Sequence, residues 1–226
     1  RQALFTDTNP YFSVPHPFTA YLSLWPSSEP LPSEMALRSM QSLGIQLLSE
    51  VKTLEANCLL QLRHLDNDAK VVVDFLKLQS RKVDLVLQHV LEKETQEGEK
   101  CIGNQFGGSG LRLLTPTALA IGSHYKITLF IHDELVAILC FGKVTASTAQ
   151  KTLSTESSAN RDTNSGDTQS PEFNTQAELQ SPATQWQTDF EFSQILEADV
   201  EQLVKASLNV QQKQLKLRKL ARDERQ

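Results

Sequence analysis

A glycine-rich run is the segment of this sequence best suited to contact a ligand. Four glycines fall within the eight residues 103–110. A backbone without Cβ atoms can turn sharply or approach a ligand closely, and free N–H groups in such a loop can hold a phosphate. No Gly-Lys-Ser/Thr follows, so the run is not a Walker A loop, and it lacks the third glycine and the helix of a dinucleotide-binding fingerprint. A plain β-turn or bulge is the alternative interpretation.

The residue types that commonly perform catalysis or bind metals are scattered along the chain. His132 and Asp133 are adjacent in a short polar turn and have no third partner nearby in the sequence. The cysteines, Cys58, Cys101 and Cys140, form no C-x-x-C pair, which is typical of free thiols in a reducing compartment. We therefore predict that the protein is not an enzyme, that it has no catalytic residues and no metal site, and that it needs no cofactor.

Short strands are predicted on both sides of the glycine-rich run. From residue 100 onward, apolar residues alternate with a period of two, which is typical of half-buried strands. The predicted strands are 100–106, 110–114, 124–131, 136–144 and 188–193, together with one strand between Pro17 and Pro26. A helix is expected from about Glu197. The predicted fold class is α+β, a small antiparallel β-barrel with long inserted helices and a C-terminal helix.

A region of helical heptads, residues 33–95, precedes most of these strands. Ser33 is the expected N-cap, and no proline follows until Pro116. Apolar residues recur at heptad spacing as far as Cys58, and the spacing resumes at Ala69 after a slip of four residues. The slip is either a stutter in one continuous coiled coil or a turn at 66–68. The Asp-Asn-Asp sequence there favours the turn, and therefore a helical hairpin.

The heptad seam is longer than a compact barrel can cover, which favours pairing between chains. The alternative is that the seam packs on its own domain. The residues predicted to mediate oligomerisation are Leu37, Met40, Leu47, Val51, Leu54, Val72, Leu76, Val83, Val86 and Val90.

The run 104–113 resembles the signature strand-turn-strand of PilZ domains, bacterial receptors for the second messenger cyclic di-GMP. The family motif is Asp/Asn-x-Ser-x-x-Gly. Its acidic or amide position falls on Gln105, its serine on Gly107 and its last glycine on Gly110. The segment 190–212 is similar to the closing strand and C-terminal helix of that family. The long helical region ahead of the motif is similar to an atypical, oligomerising branch of it.

The sequence departs from that family where the ligand would be held. The resemblance implies an Arg-x-x-x-Arg pair just before the barrel that binds phosphates and guanines, and no such pair lies there. Gly107 has no hydroxyl, and Gln105 replaces an Asp or Asn. Each lost charge-assisted hydrogen bond is worth about 1.5–3 kcal/mol. We therefore expect weak or no cyclic di-GMP binding at the usual site, for which the candidate residues are Gln105, Gly107, Gly110 and Arg112.

These patterns divide the chain into four parts. A proline-rich segment with one barrel strand, 1–32, precedes the heptad region. The barrel and last helix comprise 96–146 and 186–226, and the polar insertion 147–185 is expected to be disordered because it has few large apolar residues. The net charge of −5 argues against nucleic acid as a partner. No apolar run is long enough to span a bilayer, so we expect no membrane insertion and a cytoplasmic location.

The predicted function is a PilZ-type cyclic di-GMP signalling adaptor. It would oligomerise through its helical region, as a dimer or tetramer, and contact a protein partner in second-messenger signalling. A genuine cyclic di-GMP receptor with unconventional ligand residues is one alternative. A phosphate-binding enzyme built around the glycine-rich loop is the second.

Overall fold

The computed structural model describes residues 13–62, 70–150 and 185–223. The strands are β1 (Ser13–Trp25), β2 (Glu99–Gly107), β3 (Gly110–Thr115), β4 (His124–Ile131), β5 (Val136–Gln150) and β6 (Gln185–Gln194). The helices are α1 (Glu34–Met40), α2 (Leu43–Leu62), α3 (Lys70–Lys93) and α4 (Glu197–Asp223).

The six strands close into a barrel in the order β1-β2-β3-β6-β5-β4. Every neighbouring pair is antiparallel. The helical region is inserted between β1 and β2, and α4 follows the last strand. The predicted fold class, a small antiparallel barrel with long inserted helices and a C-terminal helix, is confirmed.

Strands β1 and β5 extend furthest beyond their predicted bounds. β1 begins at Ser13 and so includes Pro15 and Pro17; its register with β2 shifts between Pro15 and Phe18, and an irregularity of this kind tolerates residues that lack an N–H donor. β5 continues to Gln150, where its end pairs with the first residues of β6. Residues 147–150 and Gln185 are therefore strand, and the prediction of disorder is wrong for them, because backbone pairing does not require apolar side chains. Residues 151–184 of that predicted insertion lie outside the described residues.

The described residues form two hydrophobic clusters, one inside the barrel and one outside it. Alternate residues of β5 divide between them: Ile138 and Cys140 point into the barrel, whereas Leu139 and Phe141 pack outside it. The outer cluster also contains residues from every inserted helix, namely Leu37, Ile45, Leu48, Leu87 and Leu91. The strands nearest the helices are therefore buried on both faces.

The inserted helices form a hairpin rather than one rod. Lys52 of α2 pairs with Asp84 of α3 at 3.0 Å, and nearer the barrel the Gly44 N–H donates to Glu94 at 2.7 Å. The residue numbers rise in one helix as they fall in the other, so α2 and α3 are antiparallel. The turn predicted at 66–68 lies outside the described residues.

The predicted helix beginning after Ser33 is interrupted between α1 and α2. The Ser33 hydroxyl caps α1 by accepting from the Ala36 N–H. The chain then leaves the helical conformation at Gln41, and Ser42 accepts from the Ile45 N–H at the start of α2. Glu94 lies at this second N-terminus, where the helix dipole favours a carboxylate. The sequence analysis did not anticipate this break.

Helix α4 begins at Glu197, as predicted, and covers one opening of the barrel. Leu203, Ala206 and Val210 belong to the cluster inside the barrel. Their spacing of three and four residues places them on one face of the helix, and this face closes the core.

Candidate functional site

The glycine-rich turn joins β2 to β3 and is tightly packed. A Cβ atom on Gly110 would lie 2.2 Å from the carbonyl oxygen of Phe190 in β6. The Phe192 N–H donates to the Ser109 carbonyl at 2.9 Å. Strand β6 therefore approaches the turn so closely that position 110 requires a residue without a side chain.

Helix α4 lies over the same turn. A Cβ atom on Gly108 would be 2.9 Å from Cγ2 of Val204 and 3.6 Å from Cγ1 of Val200. The helix thus occupies space directly above the glycines. A ligand cradled by Gly108 would compete with these two valines.

Two of the predicted ligand residues, Gln105 and Arg112, lie side by side on β2 and β3. Arg112 forms a two-pronged ion pair with Asp189 of β6, with Nε to Oδ1 at 2.6 Å and Nη2 to Oδ2 at 3.1 Å. Its Nη1 donates to Gln105 Oε1 at 3.0 Å, and Gln105 Nε2 donates to the Ser13 hydroxyl. Four strands are linked by this polar network, so the hydrogen-bonding groups expected to hold a ligand are engaged within the protein.

Asp189 was missed by the sequence analysis. It lies 77 residues from Arg112 along the chain, and a single Asp between Thr188 and Phe190 carries no motif. The only signal available was its position in a predicted strand that also contributes residues to the barrel core.

Most of the predicted oligomerisation residues lie on the surface of the hairpin. Val72 and Val86 are 57% and 64% exposed. The seam residues that the structure leaves exposed are Leu47, Leu54, Val72, Leu76, Val83 and Val86, and Val90 is half-buried. Phe75, Leu78 and Leu85 are further exposed apolar residues on α3 that the heptad count did not include.

The other predicted seam residues pack on the barrel. Leu37 is fully buried, and Met40 and Val51 pack against the outer cluster. The structure therefore does not offer Leu37 to a second chain. Heptad spacing identifies an apolar stripe but not what covers it, and the first part of this stripe covers the chain's own β4 and β5.

Two clefts lie where the hairpin meets the barrel. One of about 280 Å³ is lined by residues of β1, α3 and β4, including Tyr21 and Gln88. The other, of about 450 Å³, is more polar and includes Lys52, Arg81 and Lys213. Neither cleft includes the glycine-rich turn, so these clefts do not contain the predicted ligand residues.

The cysteines differ sharply in their surroundings. Cys58 on α2 is exposed, whereas Cys101 and Cys140 are buried in the barrel. Burial raises the pKa of Cys101 to about 11 and also raises the pKa of Cys140. Because the thiolate is the reactive form, Cys58 is the thiol that a labelling reagent reaches first.

One acidic side chain is buried at the start of α4. Asp199 is almost fully inaccessible, and burial raises its pKa to about 6, although Arg38 of α1 acts in the opposite direction. Its Oδ2 has no hydrogen-bond partner among the described residues. Asp199 is a buried acid at the junction of helix and barrel rather than part of a catalytic pair.

The described residues thus define a closed β-barrel sealed by one helix and carrying a projecting helical hairpin. No protein-family model matches the chain, and no curated protein matches it. Among the described residues, no helix is long and apolar enough to span a membrane.

Solved structures provide the matches. A pathogenic protein from Xanthomonas campestris, described as a tetrameric PilZ domain self-assembled via an unusual helical bundle, matches with a TM-score of 0.47 and 12% identity, over 92% of this chain and 91% of its own. MrkH from K. pneumonia, in its apo state, matches with a TM-score of 0.37 and 14% identity, over 53% of this chain and 44% of its own.

Proposed function

We propose that the chain is a PilZ-type adaptor in cyclic di-GMP signalling that self-associates through its helical hairpin. The observation that carries the proposal is the apolar surface of the hairpin. Eleven of the twenty large apolar side chains exposed among the described residues lie on α2 and α3. Contiguous apolar surface of this kind marks an interaction site on a soluble protein.

Pairing between hairpins is the arrangement that the spacing of these residues supports. Val72, Leu76, Val83 and Val86 recur at intervals of three, four and seven, which places them along one side of α3. A stripe with this spacing packs well against the same stripe of a second helix. Two hairpins joined in this way form a bundle of four helices, and the assembly is a dimer or a tetramer.

The barrel acts in this proposal mainly as a scaffold, with weak or no binding of cyclic di-GMP at the usual site. Arg112 already binds both Asp189 and Gln105. A phosphate that bound to Arg112 would have to displace the Asp189 carboxylate, which makes two contacts to the guanidinium. It would also be obstructed by α4, which lies over the turn. Information would therefore pass to a partner through protein contacts.

The assembly is tested by measuring molar mass with light scattering. The double variant Val72→Glu/Val86→Glu places two charges in the seam and is expected to reduce the mass to that of one chain. The matched control is Leu24→Glu/Ile121→Glu, because these residues are at least as exposed but lie outside the hairpin. A monomeric parent protein, or an assembly that the seam variant leaves intact, would contradict the proposal.

Cys58 provides a second, independent measurement. It lies on α2 close to the end that is remote from the barrel, and it is exposed. Donor and acceptor dyes attached to Cys58 in separate samples should show energy transfer after mixing, and Cys58→Ser removes the attachment point. If hairpins do not pair, no transfer develops.

Ligand binding is tested by calorimetry with cyclic di-GMP, ATP and GTP. We expect no binding at micromolar concentrations. Micromolar binding of cyclic di-GMP that is abolished by Gln105→Ala or Arg112→Ala would instead establish a genuine receptor with unconventional ligand residues.

A further inference from the structure

The last turns of α4 extend beyond the barrel. Val210 is the last residue of this helix that belongs to the core. Every described residue from Leu215 to Arg222 is exposed. These eight residues correspond to about 12 Å of helix, and none of them belongs to either hydrophobic cluster.

The second half of α4 is strongly basic, and its one acidic residue is the last one, Asp223. Between residues 202 and 222 there are six Lys or Arg residues and no Asp or Glu. We call residues 213–222 the basic end of α4; its cations are Lys213, Lys216, Arg218, Lys219 and Arg222. Only Lys213 has an acidic partner among the described residues, Glu134 at 2.6 Å.

Helix stability alone does not explain these cations. The helix dipole favours positive charge within the last turn, and only Arg222 lies there. Ion pairs with acidic residues three or four positions away would also stabilise the helix, and in the basic end only Lys219 has an acidic residue at such a spacing, Asp223. Lys216 and Arg218 therefore stay without an internal explanation, in a chain with a net charge of −5.

The basic end also has an apolar face. Leu217, Leu220 and Ala221 are spaced by three and four residues and so share one side of the helix. They continue the face of Val210 past the end of the barrel. Leu217 and Leu220 are 66% and 61% exposed. Lys213 and Lys216 border this face, and long basic side chains can extend sideways from an apolar contact to reach negative charge.

We propose that the basic end of α4 docks on an anionic membrane surface, with Leu217 and Leu220 at the level of the headgroups. A lipid surface accounts for both features of this segment. Leucine side chains insert at the level of the headgroups, and anionic lipids attract lysine and arginine. The phosphate backbone of a nucleic acid would attract the cations but offer nothing to the leucines. The contact is peripheral and independent of the proposed pairing of hairpins.

The test measures binding of the full chain to vesicles. Phosphatidylcholine vesicles containing about 30% phosphatidylglycerol provide the anionic surface, and pure phosphatidylcholine vesicles provide the neutral one. We expect binding to the anionic vesicles only, weakening when salt is raised from about 0.1 to about 0.5 M. The triple variant Lys216→Gln/Arg218→Gln/Lys219→Gln should bind about 100-fold more weakly.

The matched control removes three cations from α3, in the variant Lys70→Gln/Lys82→Gln/Lys93→Gln, and should bind as the parent does. The variant Leu217→Gln/Leu220→Gln should lose about tenfold, more than Leu215→Gln on the opposite side of the helix. Absence of binding to anionic vesicles overturns the proposal. So does binding that the triple variant retains, or tighter binding to duplex DNA or polyglutamate at the same salt concentration. Light scattering on the same variants measures whether the hairpins still pair, so a failure of membrane binding can be distinguished from a failure of hairpin pairing.

Discussion

The barrel and the helical hairpin differ in how far their apolar residues are buried. In the barrel, Phe106 and Leu113 are fully buried, and two exposed large apolar side chains, Leu24 and Ile102, lie on its described strands. Among the described side chains of the hairpin, those nearest the barrel are buried, and many apolar side chains farther along both helices are exposed. One region is complete within a single chain, whereas the other offers surface that a single chain does not cover.

The largest expected effect is a loss of unfolding free energy that depends on protein concentration in the hairpin but not in the barrel. Phe106→Ala removes a fully buried ring and should lower the free energy of unfolding by about 3–5 kcal/mol, at any protein concentration. Phe75→Ala, on the exposed part of α3, should cost little in dilute protein and more as concentration rises. Denaturant unfolding at two protein concentrations measures both. Equal, concentration-independent losses would remove the distinction between the regions.

How much of the structure could be predicted from the sequence depended on whether a feature is set by local patterns or by contacts between distant segments. The bounds of β4 and the start of α4 follow directly from alternation and from charge at the helix start, because local patterns decide them. The burial of Leu37 and the pairing of Arg112 with Asp189 depend on which segments meet after folding. The first part of the seam, as far as Cys58, looked uniform in the sequence because a heptad position is apolar whether it faces the chain's own barrel or a second chain.

The next prediction concerns the polar network of the barrel. If Arg112 and Asp189 serve as scaffold, Arg112→Ala should lower the free energy of unfolding by about 1.5–3 kcal/mol. Asp189→Ala should cost a similar amount, and the double variant should cost much less than the sum. Chemical denaturation of the three variants gives the coupling energy. Additive losses would mean that the two-pronged pair contributes little and that Arg112 is available for a ligand.

A smaller effect is expected where α4 joins the barrel, and it depends on pH. The pKa of Asp199 is raised from 3.8 to about 6 in the folded protein. The folded state therefore holds this proton more tightly than the unfolded state, so the stabilisation is present below about pH 4 and is lost as pH rises through 6. Between pH 5 and 7 the loss is about 1 kcal/mol.

The measurement is thermal or denaturant unfolding at several pH values. Asp199→Asn should remove this part of the pH dependence, while Glu197→Gln, an exposed acid in the same turn, should leave it unchanged. A parent protein whose stability does not fall over this pH range would show that the carboxyl is solvated, and that α4 seals the barrel less tightly than the structure indicates.

The smallest expected effect lies at the boundary between the two regions. Helix α1 carries Leu37 into the outer cluster, and its first turn is capped by the Ser33 hydroxyl, which accepts from the Ala36 N–H at 3.3 Å. Ser33→Ala should cost about 0.5–1 kcal/mol of unfolding free energy, since the capping bond is lost. Ser39→Ala, later in the same helix, is the matched control and should be neutral or slightly stabilising. Because Leu37 attaches α1 to the barrel, the cost at Ser33 should be independent of protein concentration. A cost that grew with protein concentration would instead show that α1 takes part in the pairing between chains.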